Sequence, residues 1–146
     1  MKPVNSQHVL LQFCFLGYLL LLLKLTLFTH NYYTYGRSNN LHLFASIRLM
    51  LASRNPLLIA KNIAGNVVLF VPFGVLFPLV LVRQRIFLKA MAGAFALSFI
   101  IENAQYFFAA RIFDIDDLLL NMSGAFIGCL LLWVYRCRRK IIFHIH

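Results

Sequence analysis

The chain has 146 residues, of which 62% are hydrophobic, and its formal net charge at pH 7 is +10. It is far more apolar than a soluble domain, in which about half of the residues are apolar. This composition excludes an ordinary soluble enzyme, and it excludes a nucleic-acid-binding module because no solvated face remains to carry a basic patch. The excess of Lys and Arg is better explained by orientation in a membrane and by attraction to anionic lipids.

Four apolar stretches are long enough to cross a bilayer, since about 20 helical residues span a hydrocarbon core of about 30 Å. These stretches are residues 9–29, 62–82, 86–109 and 118–135. The first follows a basic start, as a signal peptide would, but it is long for that role and no small-residue cleavage site follows it. We therefore expect an uncleaved helix there.

The segment between the first two stretches contains a shorter apolar run, LHLFASIRLMLA, at 41–52. It is too short to span a membrane, so we expect a short helix lying on the membrane surface or a re-entrant segment. Three tyrosines precede it and fit an interfacial aromatic belt; they are Tyr32, Tyr33 and Tyr35. In the second stretch, Pro72 and Pro78 predict a kink or a break that frees carbonyls for other partners.

The predicted fold is therefore all-α, an integral membrane bundle of four transmembrane helices with a short interfacial helix at 41–52. One domain covers residues 1–146 and ends in a basic tail at 136–146. Four spans place both termini on one side of the membrane. That side carries eight Lys and Arg against five on the other, or six if Lys24 near the outer end of the first stretch is counted there. The positive-inside rule therefore predicts cytoplasmic termini, and we expect the protein in the plasma membrane.

All the carboxylates of the chain fall within ENAQYFFAARIFDIDD, residues 102–117. They are Glu102, Asp114, Asp116 and Asp117. Glu102 lies inside the third apolar stretch, where an ionisable group is costly and marks a functional site by default. The alternative is a carboxylate buried against Arg111 or an Asn, which would fix the packing of the helices. Asp117 stands where we expect the N-cap of the fourth helix.

The four-span topology brings polar residues of three helices to a similar depth. Glu102 lies about 9 Å below the outer end of the third helix, and Asn121 lies about 6 Å down the fourth. Asn66 occupies the first turns of the second helix, which begins on the same side. Glu102 and Gln105 share one helix face, as do Asp117 and Asn121. We therefore predict a polar pocket that faces outward.

At these positions the chain resembles the VanZ-like membrane proteins, a family named for teicoplanin resistance. The family pattern is seen in NLHLFASI (40–47), GNVVLFVPFGVLFP (65–78), IENAQ (101–105) and RIFDIDDLLLNMSGAFIG (111–128). One departure is Leu43, where the family usually has a Pro, and it concerns the conformation of that loop. The resemblance implies a multi-pass membrane protein linked to low-level teicoplanin and lipoglycopeptide resistance, without a settled biochemical activity.

Our first hypothesis is an envelope protein whose pocket binds an anionic lipid or a lipid-linked cell-wall group, which lowers sensitivity to lipid-anchored glycopeptides. Arg111 would hold the anion, Glu102 and Gln105 would hydrogen-bond it, and Asp117 and Asn121 would orient the helix start. The candidate ligand-binding residues are Asn66, Glu102, Gln105, Arg111, Asp114, Asp117 and Asn121.

The second hypothesis is a small intramembrane enzyme acting on a lipid or its headgroup, with Glu102 as general acid/base and the Asp cluster holding a cation. The third is a structural partner of larger envelope complexes.

Other motifs give weaker signals. Gly124 and Gly128 form a GxxxG spacing that lets a helix approach closely, either a neighbour in the bundle or a second copy of the chain in a homodimer. No nucleophile elbow, HExxH, P-loop or dinucleotide motif occurs, so no cofactor or metal is expected. The three cysteines lack disulfide or zinc spacing and are expected to fill space; they are Cys14, Cys129 and Cys137.

Overall fold

The computed structural model describes residues 6–28, 39–81, 86–108 and 112–144. The predictions on Arg111 and on the three tyrosines near the end of the first span concern positions outside these described residues. The elements in chain order are α1 (Ser6–Phe28), β1 (Asn39–Asn40), α2 (Ala45–Ala52), α3 (Pro56–Ile59), a π-helical turn (Ala60–Ala64), α4 (Gly65–Val80), α5 (Ile86–Phe108), β2 (Phe113–Asp114) and α6 (Ile115–His144). The prediction of an all-α fold is confirmed.

Four helical segments are long and apolar enough to cross a membrane, as predicted. They are Ser6–Leu27, Pro56–Val80, Ile86–Phe108 and Ile115–Arg138. The second begins six residues before the predicted start, because Asn55 caps it by accepting hydrogen bonds from the backbone N–H groups of Leu57 (3.1 Å) and Leu58 (3.3 Å). Pro56 at the first helical position suits such a start.

The short helix predicted at 41–52 is observed as α2, which covers Ala45–Ala52. None of its residues is buried, and Leu49 remains 74% exposed. Arg48 and Arg54 are exposed in the same part of the chain. Exposed leucines next to exposed arginines are typical of a helix that lies in a membrane interface.

The two prolines of α4 do not break the helix, which continues through both of them. Pro78 has no N–H to donate to the carbonyl of Gly74, four residues earlier. The Sγ of Cys129 on α6 lies 3.3 Å from that oxygen and donates to it. Cys129 therefore satisfies a carbonyl that a proline has freed, a more specific role than the space filling expected from the sequence.

Helix α4 packs most extensively against α6, and glycines make this close approach feasible. A Cβ at Gly124 would lie 2.0 Å from the carbonyl oxygen of Val67, and one at Gly128 would lie 2.1 Å from that of Val71. A Cβ at Gly74 would in turn meet the carbonyl oxygen of Ala125 at 2.0 Å. Helix α4 of the same chain thus occupies the GxxxG surface, where a homodimer contact was one expectation.

The apolar core lies around α4, which contacts α1, α5 and α6. The ring of Phe15 on α1 packs against those of Phe73 and Phe77 on α4, with centroids 5.8 and 6.1 Å apart. The rings of Phe73 and Phe77 stack on each other with centroids 5.0 Å apart. The fully buried part consists of Leu22, Phe70, Phe73, Ala94, Ile101 and Ala125. This packing fixes the ends of the helices, and it thereby fixes the polar side chains that the helices carry at one end of the bundle.

Candidate functional site: the polar cluster at the start of α6

A network of hydrogen bonds surrounds the first turn of α6. We call this network the polar cluster, and its members are Asn40, Ser46, Asn66, Glu102, Asp114, Asp116 and Asp117. Asp114 immediately precedes α6, and its Oδ1 accepts a hydrogen bond from the backbone N–H of Asp116 (2.9 Å). Asp114 is therefore the N-cap of the helix. The expected N-cap, Asp117, lies instead inside the first turn, because the helix begins three residues earlier than predicted.

Asp114 also joins β1 and the start of α2 to α5. Its carboxylate accepts hydrogen bonds from Asn40 Nδ2 (3.2 Å) and from the hydroxyl of Ser46. Its backbone N–H donates to Oε2 of Glu102 on α5 (3.3 Å). Parallel pairing of β1 with β2 places Asn40 opposite Asp114 and so brings these groups together. Glu102 is only 2% exposed and fixes the turn that leads into α6.

Asp116 is the most completely buried carboxylate of the cluster, with 1% of its surface exposed. Its Oδ1 accepts from the backbone N–H of Phe44 (2.6 Å), and its Oδ2 accepts from those of Ser46 (2.9 Å) and Ile47 (3.3 Å). These N–H groups belong to the start of α2, where Phe44 has a φ of 63° and no side-chain cap of its own. Asp116 therefore caps α2 from another helix, and the helix dipole favours its negative charge there.

Asn66 and Asp117 connect α4 to α6. The Nδ2 of Asn66 donates to Oδ1 of Asp117 at 2.6 Å, and both residues are half-buried. This pair is the most accessible part of the predicted site among the described residues. It confirms that the starts of α4 and α6 lie side by side, as the four-span topology predicted.

Two predicted site residues bond to other partners. Nε2 of Gln105 donates to the backbone carbonyl of Thr26 on α1 (3.0 Å). Nδ2 of Asn121 donates to Oγ of Ser98 on α5 (2.8 Å), and both of these side chains are buried. These two hydrogen bonds join one helix to another rather than to the polar cluster.

A groove lies beside the polar cluster and has a volume of about 250 Å³. We call it the cluster groove, and it is lined by Asn39, Leu41, Phe99, Asn103, Tyr106, Phe107 and Phe113. Asn39 and Phe113 are the neighbours in sequence of Asn40 and Asp114, so the strand pair forms the boundary between groove and cluster. Among the described residues, no three His, Cys, Asp or Glu side chains come together as metal ligands. The described residues therefore offer no support for the cation-holding hypothesis.

Comparison with known proteins gives the family. Residues 15–136 match the VanZ/LLP1 family. The chain belongs to the VanZ/LLP1 family. It is 35% identical over 68 residues to Protein VanZ of Enterococcus faecium, an alignment that covers 47% of this chain and 42% of that protein. The chain thus matches less than half of that relative's length. No solved structure matches the chain.

Membership of the VanZ/LLP1 family and four apolar helices make this a multi-pass membrane protein. The matched region contains every residue of the polar cluster and of the cluster groove. It also contains two contributors that the sequence did not predict as site residues, Asn40 and Ser46, and it contains Asp116, which the sequence placed only in the Asp cluster of the enzyme hypothesis. The first two lie within the block at 40–47 that resembles the family, and this block was the available signal for them.

Proposed function

We propose that this VanZ/LLP1 protein binds an anionic lipid or a lipid-linked cell-wall group beside the polar cluster at the outward end of the bundle. Binding there would lower the sensitivity of the cell to glycopeptides that carry a lipid anchor. The observation that carries the proposal is the convergence of α4, α5, α6 and the segment before α2 on the polar cluster, next to the cluster groove.

The residues divide into two roles in this proposal. Glu102 and Asp114 are buried and already bonded within the protein, so they position the strand pair that borders the groove. The half-buried pair of Asn66 and Asp117 is open enough to meet a bound group. An anionic group also needs a cation beside so many carboxylates, and Arg111 is the basic residue nearest to Asp114 in the sequence.

Burial of Glu102 bears on the choice between a binding protein and an enzyme. A general acid/base must come within hydrogen-bond reach of the substrate. The Glu102 side chain is 2% exposed, and its Oε2 accepts the backbone N–H of Asp114. This geometry favours a positioning role, so binding is the function that we put forward.

The test is teicoplanin susceptibility of a sensitive Gram-positive host that expresses the wild type or single variants at matched membrane levels. Arg111→Ala removes the cation, and we expect it to abolish protection. Glu102→Gln keeps an oxygen that can accept the Asp114 N–H, so we expect only partial loss. Asn62→Ala is the matched control, because its amide donates to the carbonyl of Leu58 in its own helical segment (2.9 Å).

A glycopeptide without a lipid tail provides a second control, since protection against it is not expected. Protection by the wild type that survives Arg111→Ala would contradict the proposed binding role of the outward end. Absence of protection by the wild type would contradict the proposed effect on glycopeptides.

A further inference from the structure

A second groove lies at the opposite end of the bundle, between the end of α4, the start of α5 and the second half of α6. Its volume is about 280 Å³, and we call it the basic-end groove. The described residues that line it are Pro78, Ile86, Phe87, Phe126, Cys129, Leu130, Leu132, Trp133 and Arg136. Arg136 is the one charged residue in this lining.

The groove follows the axis of α6. Phe126 and Arg136 are ten residues apart on this helix, so the lining extends about 15 Å along it, roughly half the thickness of a hydrocarbon core. Several lining side chains, including Phe87 and Leu130, are exposed at the surface of the bundle. A surface of this kind, on a membrane-spanning helix, meets hydrocarbon chains rather than water.

The residues at the far end of the groove suit the membrane interface. Trp133 is 62% exposed and Arg136 is exposed one turn further along α6. Trp is enriched at interfaces, and Arg extends its charged group toward the headgroups. Asp116 and Arg136 are twenty residues apart on α6, so the acidic and basic ends are about 30 Å apart.

The charge of this end of the bundle favours an anion. Every carboxylate side chain of the chain lies within residues 102–117, so no acidic side chain is present to repel an anion at the basic end. Lys89 on α5 and Arg138 on α6 are exposed there and add to its positive charge. Basic pockets between transmembrane helices are known to bind acidic phospholipid headgroups.

We propose that the basic-end groove binds one anionic phospholipid, with an acyl chain along the apolar lining and the phosphate paired with Arg136. This site is separate from the one at the polar cluster and does not depend on the proposed function. The bound anionic lipid would contact both the second half of α6 and the start of α5.

The chain contains a single Trp, and Trp133 lines the groove, so its fluorescence reports on the lipids that contact this part of the bundle. The full-length protein is reconstituted in phosphatidylcholine vesicles that contain brominated phosphatidylglycerol or, separately, brominated phosphatidylcholine. Bromine on the acyl chains quenches the indole when a lipid occupies the groove. We expect brominated phosphatidylglycerol to quench at a concentration about fivefold lower, the factor that one basic side chain contributes next to an anionic headgroup.

Arg136→Gln should abolish this preference, and Arg136→Lys should retain it. Arg138→Gln is the matched control, because it removes the same charge two residues further along α6, outside the groove lining, and should keep the preference. Equal quenching of the wild type by the two lipids would overturn the proposal. A preference that Arg136→Gln leaves intact, or that Arg138→Gln abolishes equally, would also overturn it.

Discussion

Asp116 shows how one residue can organise a distant part of the chain. Its two carboxylate oxygens accept the N–H groups of Phe44, Ser46 and Ile47, about 70 positions earlier in sequence. A carboxylate can do this because both of its oxygens are acceptors. The contact is buried and its hydrogen bonds are charge-assisted. Removing the carboxylate therefore costs more free energy than the hydrogen bonds themselves contribute, because it leaves buried backbone N–H groups without acceptors.

Asp116→Asn tests this role. The amide that replaces the carboxylate has one acceptor oxygen, so its NH₂ group must face a backbone N–H on one side. We expect the free energy of unfolding to fall by about 1–3 kcal/mol, measured by thermal or denaturant unfolding in detergent. Ser123→Ala is the control, because this exposed hydroxyl donates to Leu119 of its own helix, and it should leave stability unchanged. An equal effect of the two changes would show that Asp116 does not hold α2.

At the scale of elements, the contact between α4 and α6 determines the architecture of the bundle. The absence of side chains at Gly74, Gly124 and Gly128 lets the two backbones come together, and Cys129 then reaches the carbonyl freed by Pro78. In a membrane such packing is a main source of helix association, because lipid is as apolar as the helices themselves.

Gly124→Ala should disrupt this contact, since the new Cβ would lie 2.0 Å from the backbone oxygen of Val67, which cannot move aside as a side chain can. We expect a loss of about 1–3 kcal/mol in the free energy of unfolding, the usual cost of overpacking. Gly17→Ala is the matched control, because nothing lies within 4 Å of the position that a Cβ would occupy there on α1. Unfolding in detergent micelles compares the two variants. If Gly124→Ala proved as stable as Gly17→Ala, the close approach of α4 and α6 would be refuted.

Most of the helices could be predicted from the local sequence. Hydropathy over about 20 residues identified the four spans, and a shorter apolar run identified α2. The start of the second span was missed because residues 54–61 were assigned to the preceding loop, although Asn55 and Pro56 form a recognisable helix start. The cap that Asp116 provides for α2 could not be predicted, since its partner residues are some 70 positions away and no local window contains both.

At the scale of the whole molecule, the carboxylates are confined to one end of the bundle, whereas basic residues occur at both ends and are more numerous at the other. The carboxylates gather where α6 begins, and arginines follow about 30 Å further along the same helix. The positive-inside rule then predicts that the polar cluster faces outward and that the basic end faces the cytoplasm. Binding of an extracytoplasmic group at the polar cluster requires this orientation.

The most direct test of the proposed function is the side of the membrane on which the polar cluster lies. Two variants are compared, and in both of them Cys14 is replaced by Ala and Cys129 by Ser. The first variant keeps the native Cys137, and the second carries Ser53→Cys and Cys137→Ser. Ser53 is exposed between α2 and α3, at the end of the bundle that holds the cluster. With a membrane-impermeant maleimide, we predict that the Ser53→Cys chain is labelled in intact cells and that Cys137 is labelled only after permeabilisation. The reverse pattern would place the polar cluster in the cytoplasm and contradict the proposed function.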